Sequence, residues 1–326
     1  MEKQPQLVRY QDNLHLIAFK LMKLLPASYI IEKAETDGQI DQDTTIIETS
    51  SGTFALGLAI VCALKKYKLI IVGDPVIDVP LRNRLNDLGA QVEIVTKSAA
   101  EAGYQSARLK RVFELMDSIP NHFWPCQYDN SNHPEAYADL AKAVYDRLGQ
   151  IDYLVGTVGS GGSLCGMSRV MKQINPSLRS VGVDTNGSVL FGQPDSHRLL
   201  RGLGNSIIPK NLDYSLIDEV HWVTPECAFN AARRLHREKT LFMGPTSGAS
   251  LFVAEYISRL NPDRKVAAIL PDEGTRYLHT VYDNDWLAKH GIFPATDHRM
   301  ERPRKINGPE EAGTDWTVCE WGGRHV

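Results

Sequence analysis

Cysteine is scarce and scattered. The five thiols of the 326-residue chain (Cys62, Cys126, Cys165, Cys227 and Cys319) form no CxxC pair and no Cys/His cluster of zinc spacing. An odd, dispersed set points to reduced packing residues and a cytoplasmic location, not to a disulfide frame. The ten histidines are equally dispersed and suggest no metal site. No apolar run reaches the roughly 18 residues a membrane span needs. The opening stretch, MEKQPQLVRYQDN, lacks the charged-then-apolar layout of a signal peptide. Charge of one sign is also lacking. Lys plus Arg total 36 against 39 Asp plus Glu, a net charge of −3, so nothing drives general binding to nucleic acid. There is no repeat of fixed period and no low-complexity segment. What remains is ordinary globular composition, 43% hydrophobic and 23% charged, which excludes disordered and fibrous classes. At roughly 150 residues per domain, the length suits two domains or one large α/β domain.

Short apolar runs alternate with helical stretches along most of the chain. Strands are predicted at 45–48, 69–72 and 91–95, with helices at 54–66, 79–88, 106–118 and 134–148. Gly89 is placed to end the second of these helices, and Pro134 to start the last. After a Gly-Gln break at 149–150 the alternation resumes. Strands are predicted at 153–158, 180–184, 219–223 and 266–270, and helices at 163–174, 225–239 and 247–260. Such alternation implies parallel sheets with right-handed crossovers, here in two groups. From about Phe293 onward there is no periodicity, only charge, Pro and Gly, which reads as an extended arm or a partly disordered tail.

The strongest local signal is GTVGSGGS at 156–163, which follows a strand and opens a helix. Glycines let the backbone approach a ligand closely, and successive N–H groups at a helix N-terminus form an anion nest. Gly159, Ser160, Gly161, Gly162 and Ser163 are therefore candidate phosphate ligands. No GK[ST] follows, so this is not a nucleotide P-loop, and the spacing differs from the dinucleotide GxGxxG. A phosphate monoester fits better than a pyrophosphate.

With this loop in view, three segments together resemble the cysteine synthase family of pyridoxal-phosphate (PLP) enzymes, which also resembles the cystathionine β-synthase catalytic domain. The glycine loop and its flanks resemble the family's phosphate cup. SVGVDTNGSVLFG followed by RGLGNSIIPKNLDYSLIDEVHWV resembles its central stretch. LFMGPTSGASL followed by VAAILPDEGTRYL resembles its closing stretch. The match runs in order over roughly residues 6–282. The resemblance implies an α/β fold of two lobes of parallel or mostly parallel sheet flanked by helices, of the tryptophan synthase β-like PLP fold type II. It places a smaller mobile substrate-binding lobe at 46–148 and a larger PLP-binding lobe at 1–45 plus 149–292, with the active site between them and 293–326 left as the arm.

The resemblance also assigns roles. The family reads NPGGSxKDRPA around the lysine that holds PLP. Anchoring on the helix that follows puts Lys23 at that position, with Lys20 as the alternative, although the Gly-Gly-Ser and Asp-Arg flanks are absent here. Thr246 of GPTSGA takes the place of the group that meets the pyridine nitrogen. The segment at 48–55, ETSSGTFA, resembles the substrate-carboxylate loop EPTSGNTG. Ser50, Ser51, Gly52 and Thr53 are thus candidate substrate ligands. Thr53 stands where an asparagine normally reaches the cofactor's 3′-oxygen, and Phe54 replaces a threonine, so the site's shape must differ. Gln127 and Gly202 are further candidates near the substrate, and Arg201 is placed to meet an anion. The implied reaction is β-replacement on an O-acetyl- or O-phosphoserine through an aminoacrylate. Alternatives are a sister synthase giving another β-substituted alanine such as 2,3-diaminopropionate, a β-eliminating lyase, and a non-catalytic member. The family is usually a homodimer acting on a small amino-acid substrate.

Overall fold

The computed structural model describes residues 4–95, 103–293 and 302–326. The chain divides into two compact units, Met1–Met22 with Tyr137–Val326, and Lys23–Ala136. The first unit begins with an antiparallel pair, β1 (Gln6–Arg9) and β2 (Leu14–Ala18), in which Gln6 faces Ala18. These strands were not anticipated from the sequence, because Gln6, Arg9 and His15 interrupt their apolar runs.

The second unit then runs α1 (Leu24–Thr36), β3 (Thr45–Thr49), α2 (Thr53–Lys65), β4 (Lys68–Gly73), α3 (Val79–Asp87), β5 (Gln91–Ile94), α4 (Gly103–Ser118), β6 (His122–Phe123) and α5 (Asn132–Glu135). Its four strands form one parallel sheet in the order β5-β4-β3-β6. The buried Ile46, Ile47, Ile70, Ile71 and Val72 explain why continuous apolar runs, not alternating ones, mark these strands. Ile47, Ile70 and Val72 meet Val112 and Leu115 of α4 in a core. The Asp78 carboxylate accepts from the Leu81 N–H at 2.8 Å and starts α3.

The chain returns to the first unit with α6 (Ala138–Leu148), β7 (Tyr153–Thr157), α7 (Gly162–Ile174), β8 (Arg179–Thr185), β9 (Glu219–Val223), α8 (Pro225–Lys239), α9 (Pro245–Leu260), β10 (Val266–Leu270), α10 (Asn284–Lys289), β11 (Arg304–Lys305) and β12 (Thr317–Glu320). The eight-stranded sheet has the order β1-β2-β10-β7-β8-β9-β12-β11, and β2 through β9 are parallel. The α/β class and mostly parallel sheets expected from the alternation are what the chain forms. Among the described residues no helix is long and apolar enough to cross a membrane.

Three expectations differ from the structure. The helix read as 134–148 is broken into α5 and α6, with the fully buried Tyr137 at the break. The smaller unit begins at Lys23 rather than residue 46, because α1 packs against α2. It ends at Ala136 rather than 148, because α6 packs against α7. Lys23 therefore falls in the smaller unit, not the larger. Third, residues 302–326 do not form an arm. β12 pairs antiparallel with β9, Thr317 opposite Trp222, while Trp316 and Trp321 are buried and the Trp316 indole N–H donates to His221 Nδ1 at 3.1 Å. A four-residue strand among charges carries no periodicity, but its two flanking tryptophans supply large apolar area. Residues 294–301 of the expected tail lie outside the described residues.

Candidate active site

In the smaller unit, Lys23 is the residue at which α1 begins, and its carbonyl accepts from the Ala27 N–H at 3.2 Å. A Cβ on Gly57 of α2 would lie 2.8 Å from the Lys23 carbonyl oxygen and 3.2 Å from Ala27 Cβ. Only glycine lets the two helices approach this closely. The Lys23 amine lies 2.9 Å from His133 Nε2 and 6.0 Å from the centre of the Phe54 ring. Burial pulls the amine down to about 7, because a low-dielectric surround disfavours the ammonium. His133 is fully buried and is held well below its ordinary value by burial and by the Lys23 charge. Lys20, the alternative, is exposed, and its carbonyl accepts from the Glu273 N–H at 3.1 Å.

An amine with this value is half neutral near physiological pH. Reaction of Lys23 with formaldehyde and borohydride, followed by peptide mass, is expected to rise about tenfold per pH unit below neutrality and to level off above it. A lysine at the ordinary 10.5 would keep accelerating far into the alkaline range.

The candidate carboxylate loop leaves the end of β3 and enters α2. Gly52 precedes α2 directly, and its N–H donates to Ser50 Oγ at 3.3 Å. Ser50 is buried, whereas Ser51, Gly52 and Thr53 are partly open. The Ser51 hydroxyl donates to Asp74 Oδ1 at 3.1 Å and accepts from Arg108 Nη1 at 3.1 Å. Arg108 also pairs with Asp74 Oδ2 at 3.2 Å, both side chains nearly buried. Ser51 is thus held by an ion pair that no motif announced. Below it, the Glu48 carboxylate accepts from Thr49 N–H at 2.7 Å, Trp124 Nε1–H at 3.1 Å and Gln127 N–H at 3.2 Å. Burial pushes Glu48 up to about 7 even so, and the three donors pull the other way. Gln127 Nε2 donates to the Thr49 carbonyl at 3.2 Å, so its amide braces the strand that carries the loop.

In the larger unit, the glycine loop connects β7 to α7. Gly161 has φ +80, and a Cβ there would lie 2.7 Å from Leu212 Cα and 2.9 Å from its nitrogen. Neither the torsion nor the space admits a side chain. Gly159 lies against the Gly202 carbonyl, where a Cβ would be 3.2 Å from the oxygen. Gly202 in turn has φ +90, and a Cβ would lie 2.8 Å from Thr246 Cγ2. The structure thus brings Gly159, Gly202 and Thr246 together. Gly162 and Ser163 already belong to the first turn of α7, and Ser160 and Ser163 are buried. The Thr246 hydroxyl donates to Asp272 Oδ1 at 3.0 Å, and the Tyr277 hydroxyl donates to Asp272 Oδ2 at 2.6 Å. Burial raises Asp272 above the usual carboxylate value. Arg201 is exposed.

These features fit a phosphorylated aldehyde cofactor. A backbone cradle at a helix N-terminus suits a phosphate dianion, a near-neutral buried amine suits a carbonyl, and a backed hydroxyl suits a ring nitrogen. Comparison with known proteins agrees. Residues 12–272 match the family described as pyridoxal-phosphate dependent enzyme. The chain belongs to that family, and it is a PLP-dependent enzyme.

Among proteins of described activity, it is 37% identical over 270 residues to an N-(2-amino-2-carboxyethyl)-L-glutamate synthase from Cupriavidus metallidurans, covering 81% of this chain and 79% of that one. It is 36% identical over 299 residues to the protein of the same name from Ralstonia nicotianae, covering 87% and 88%. Among solved structures, an O-acetylserine dependent cystathionine beta-synthase from Helicobacter pylori superposes with a TM-score of 0.78 at 28% identity, covering 85% of this chain and 94% of that one.

His133, Arg108, Asp74 and Glu48 were not singled out by sequence reasoning. Glu48 opens the ETSSGTFA segment but was given no role there, and His133, Arg108 and Asp74 belong to no spaced motif. Asp272 stood inside the closing stretch without a role assigned.

Proposed function

We propose that the protein joins an amino nucleophile to Cβ of an O-activated serine, giving an N-substituted 2,3-diaminopropionate. The observation that carries this reading is the pair of relatives, each aligned over four-fifths or more of the chain and named for a product of this kind. Bound PLP supplies an electron sink for the bonds at Cα.

The chain's own residues would do the rest. Gly159–Ser163 and the α7 N-terminus hold the cofactor's phosphate. Thr246, backed by Asp272, would meet the ring nitrogen, and Thr53 would serve the 3′-oxygen. Ser50, Ser51 and the Gly52 N–H receive the amino acid's carboxylate. Lys23, half neutral near physiological pH, would take the Cα proton at Nζ and return it to Cα once the Cβ–N bond has formed. The Cβ–O bond breaks with its activating group, the Cβ–N bond forms, and the incoming amine gives up a proton. Homodimerisation and a cytoplasmic setting are part of the same reading.

The test is product mass. The protein with PLP is incubated with O-phospho-L-serine or O-acetyl-L-serine, and with L-glutamate or sulfide. Condensation with glutamate is expected. Cysteine as the sole product would restore the cysteine synthase reading, pyruvate alone would make the protein a lyase, and no turnover with any pair would make it non-catalytic.

Ser51→Ala removes a hydroxyl that both the loop and its ion pair use. It is expected to raise the KM for the serine donor by about 5- to 20-fold, in line with about 1 to 2 kcal/mol for a lost hydrogen bond, while PLP stays bound. A donor titration of the cofactor's absorbance checks this.

A further inference from the structure

We propose that His133 is a positioning residue for Lys23, its Nε2 accepting the amine's N–H and holding the lysine ready to receive and release the cofactor. The inference rests on the reading that Lys23 is the amine that holds PLP. The 2.9 Å separation is that of a hydrogen bond. Two nitrogens this close cannot both be cations in a buried place, and the ring is the one that stays neutral. A neutral imidazole with its proton on Nδ1 presents a lone pair at Nε2, and the lysine supplies the donor.

Phe54 closes the arrangement from α2. Its ring lies 5.9 Å from that of His133 at 50°, and 6.0 Å from the lysine amine. A packing histidine would need only its ring there. The placement of Nε2 on Nζ is what separates a positioning role from filling. His133 stands on the short helix α5, which packs against α1, the helix that Lys23 starts. The separation of the two residues in the sequence is therefore bridged by direct packing within one unit. Phe54 is also where the cysteine synthase loop is altered, so the altered loop and the histidine meet at the same amine.

The experiment uses the full chain, stripped of PLP with hydroxylamine and given it back. It follows the return of the visible absorbance in a stopped-flow mixer. His133→Phe keeps a ring but offers no acceptor, and the rate is expected to fall about tenfold or more. His133→Gln can place an acceptor near the Nε2 position, and is expected to stay within about threefold of the wild type. His133→Asn ends nearer Nδ1 and is expected to behave like the phenylalanine variant, which keeps the test alive if that variant does not fold. Wild-type rates in all folded variants would overturn the proposal. So would equal slowing of the glutamine and asparagine variants, since a merely structural role has no reason to discriminate acceptor position. If the visible band forms undiminished in Lys23→Ala, the reading beneath it fails as well, which separates the two failures.

Discussion

Lys23→Ala is expected to eliminate the visible absorbance of the bound cofactor and to lower turnover about a thousandfold or more. Among the described residues, no other combines so many of the required properties. Its amine is drawn down to about 7 by burial, it lies 2.9 Å from an imidazole nitrogen, and its backbone is clamped where α1 meets Gly57 of α2. The variant loses both the covalent attachment and the group that would take the Cα proton. These losses are coupled, so added PLP should not restore the rate, while small amines should restore a fraction of it. Thermal stability should change little, because removal of a buried amine that disfavours its charge is offset by the cavity left and by the loss of the His133 Nε2 partner. Absorbance spectroscopy and steady-state kinetics on the same preparation check the outcome. Lys20→Ala is the control, and it should retain both band and rate.

Gly161→Ala is expected to reduce PLP affinity about tenfold or more and to destabilise the protein by roughly 2 to 5 kcal/mol. The residue sits at φ +80 just before α7, in a region costly for any L side chain. Its Cβ would also press on backbone at Leu212, 2.7 Å from Cα and 2.9 Å from nitrogen. Backbone cannot swing aside as a flexible side chain can, so either the cup or the 211–212 segment must move. Movement of the cup misaligns the N–H groups meant for the phosphate. Gly162 has no positive torsion, and substitution there is expected to be milder. Equilibrium titration with PLP and urea denaturation measure the two effects separately.

The contrast between these residues bears on what could be seen before the fold was known. Gly161 was legible because a strand, a glycine run and a helix start are consecutive in the chain, and their physics is local. Lys23 was singled out only by its spacing to the helix that follows, since the usual flanking residues are missing. The strands built from Ile46, Ile47 and Ile70 to Val72 announced themselves as continuous apolar runs. β1, β6 and β12 did not, being between two and four residues long. The Ser51–Asp74–Arg108 cluster joins β3, β4 and α4, and its members are spread over more than thirty positions. Nothing in local patterning could assemble it. The same holds for His133, which α5 carries back to α1. The unit boundary at Lys23 was also hidden, because it depends on which sheet a helix packs against.

Lys23 is proposed here as the amine that carries the cofactor. Borohydride reduction of the PLP-loaded protein, followed by peptide mapping, tests it most directly. The phosphopyridoxyl mass is expected on Lys23, in the peptide that runs into α1. A label on Lys20, or no stable label on any lysine, would contradict it.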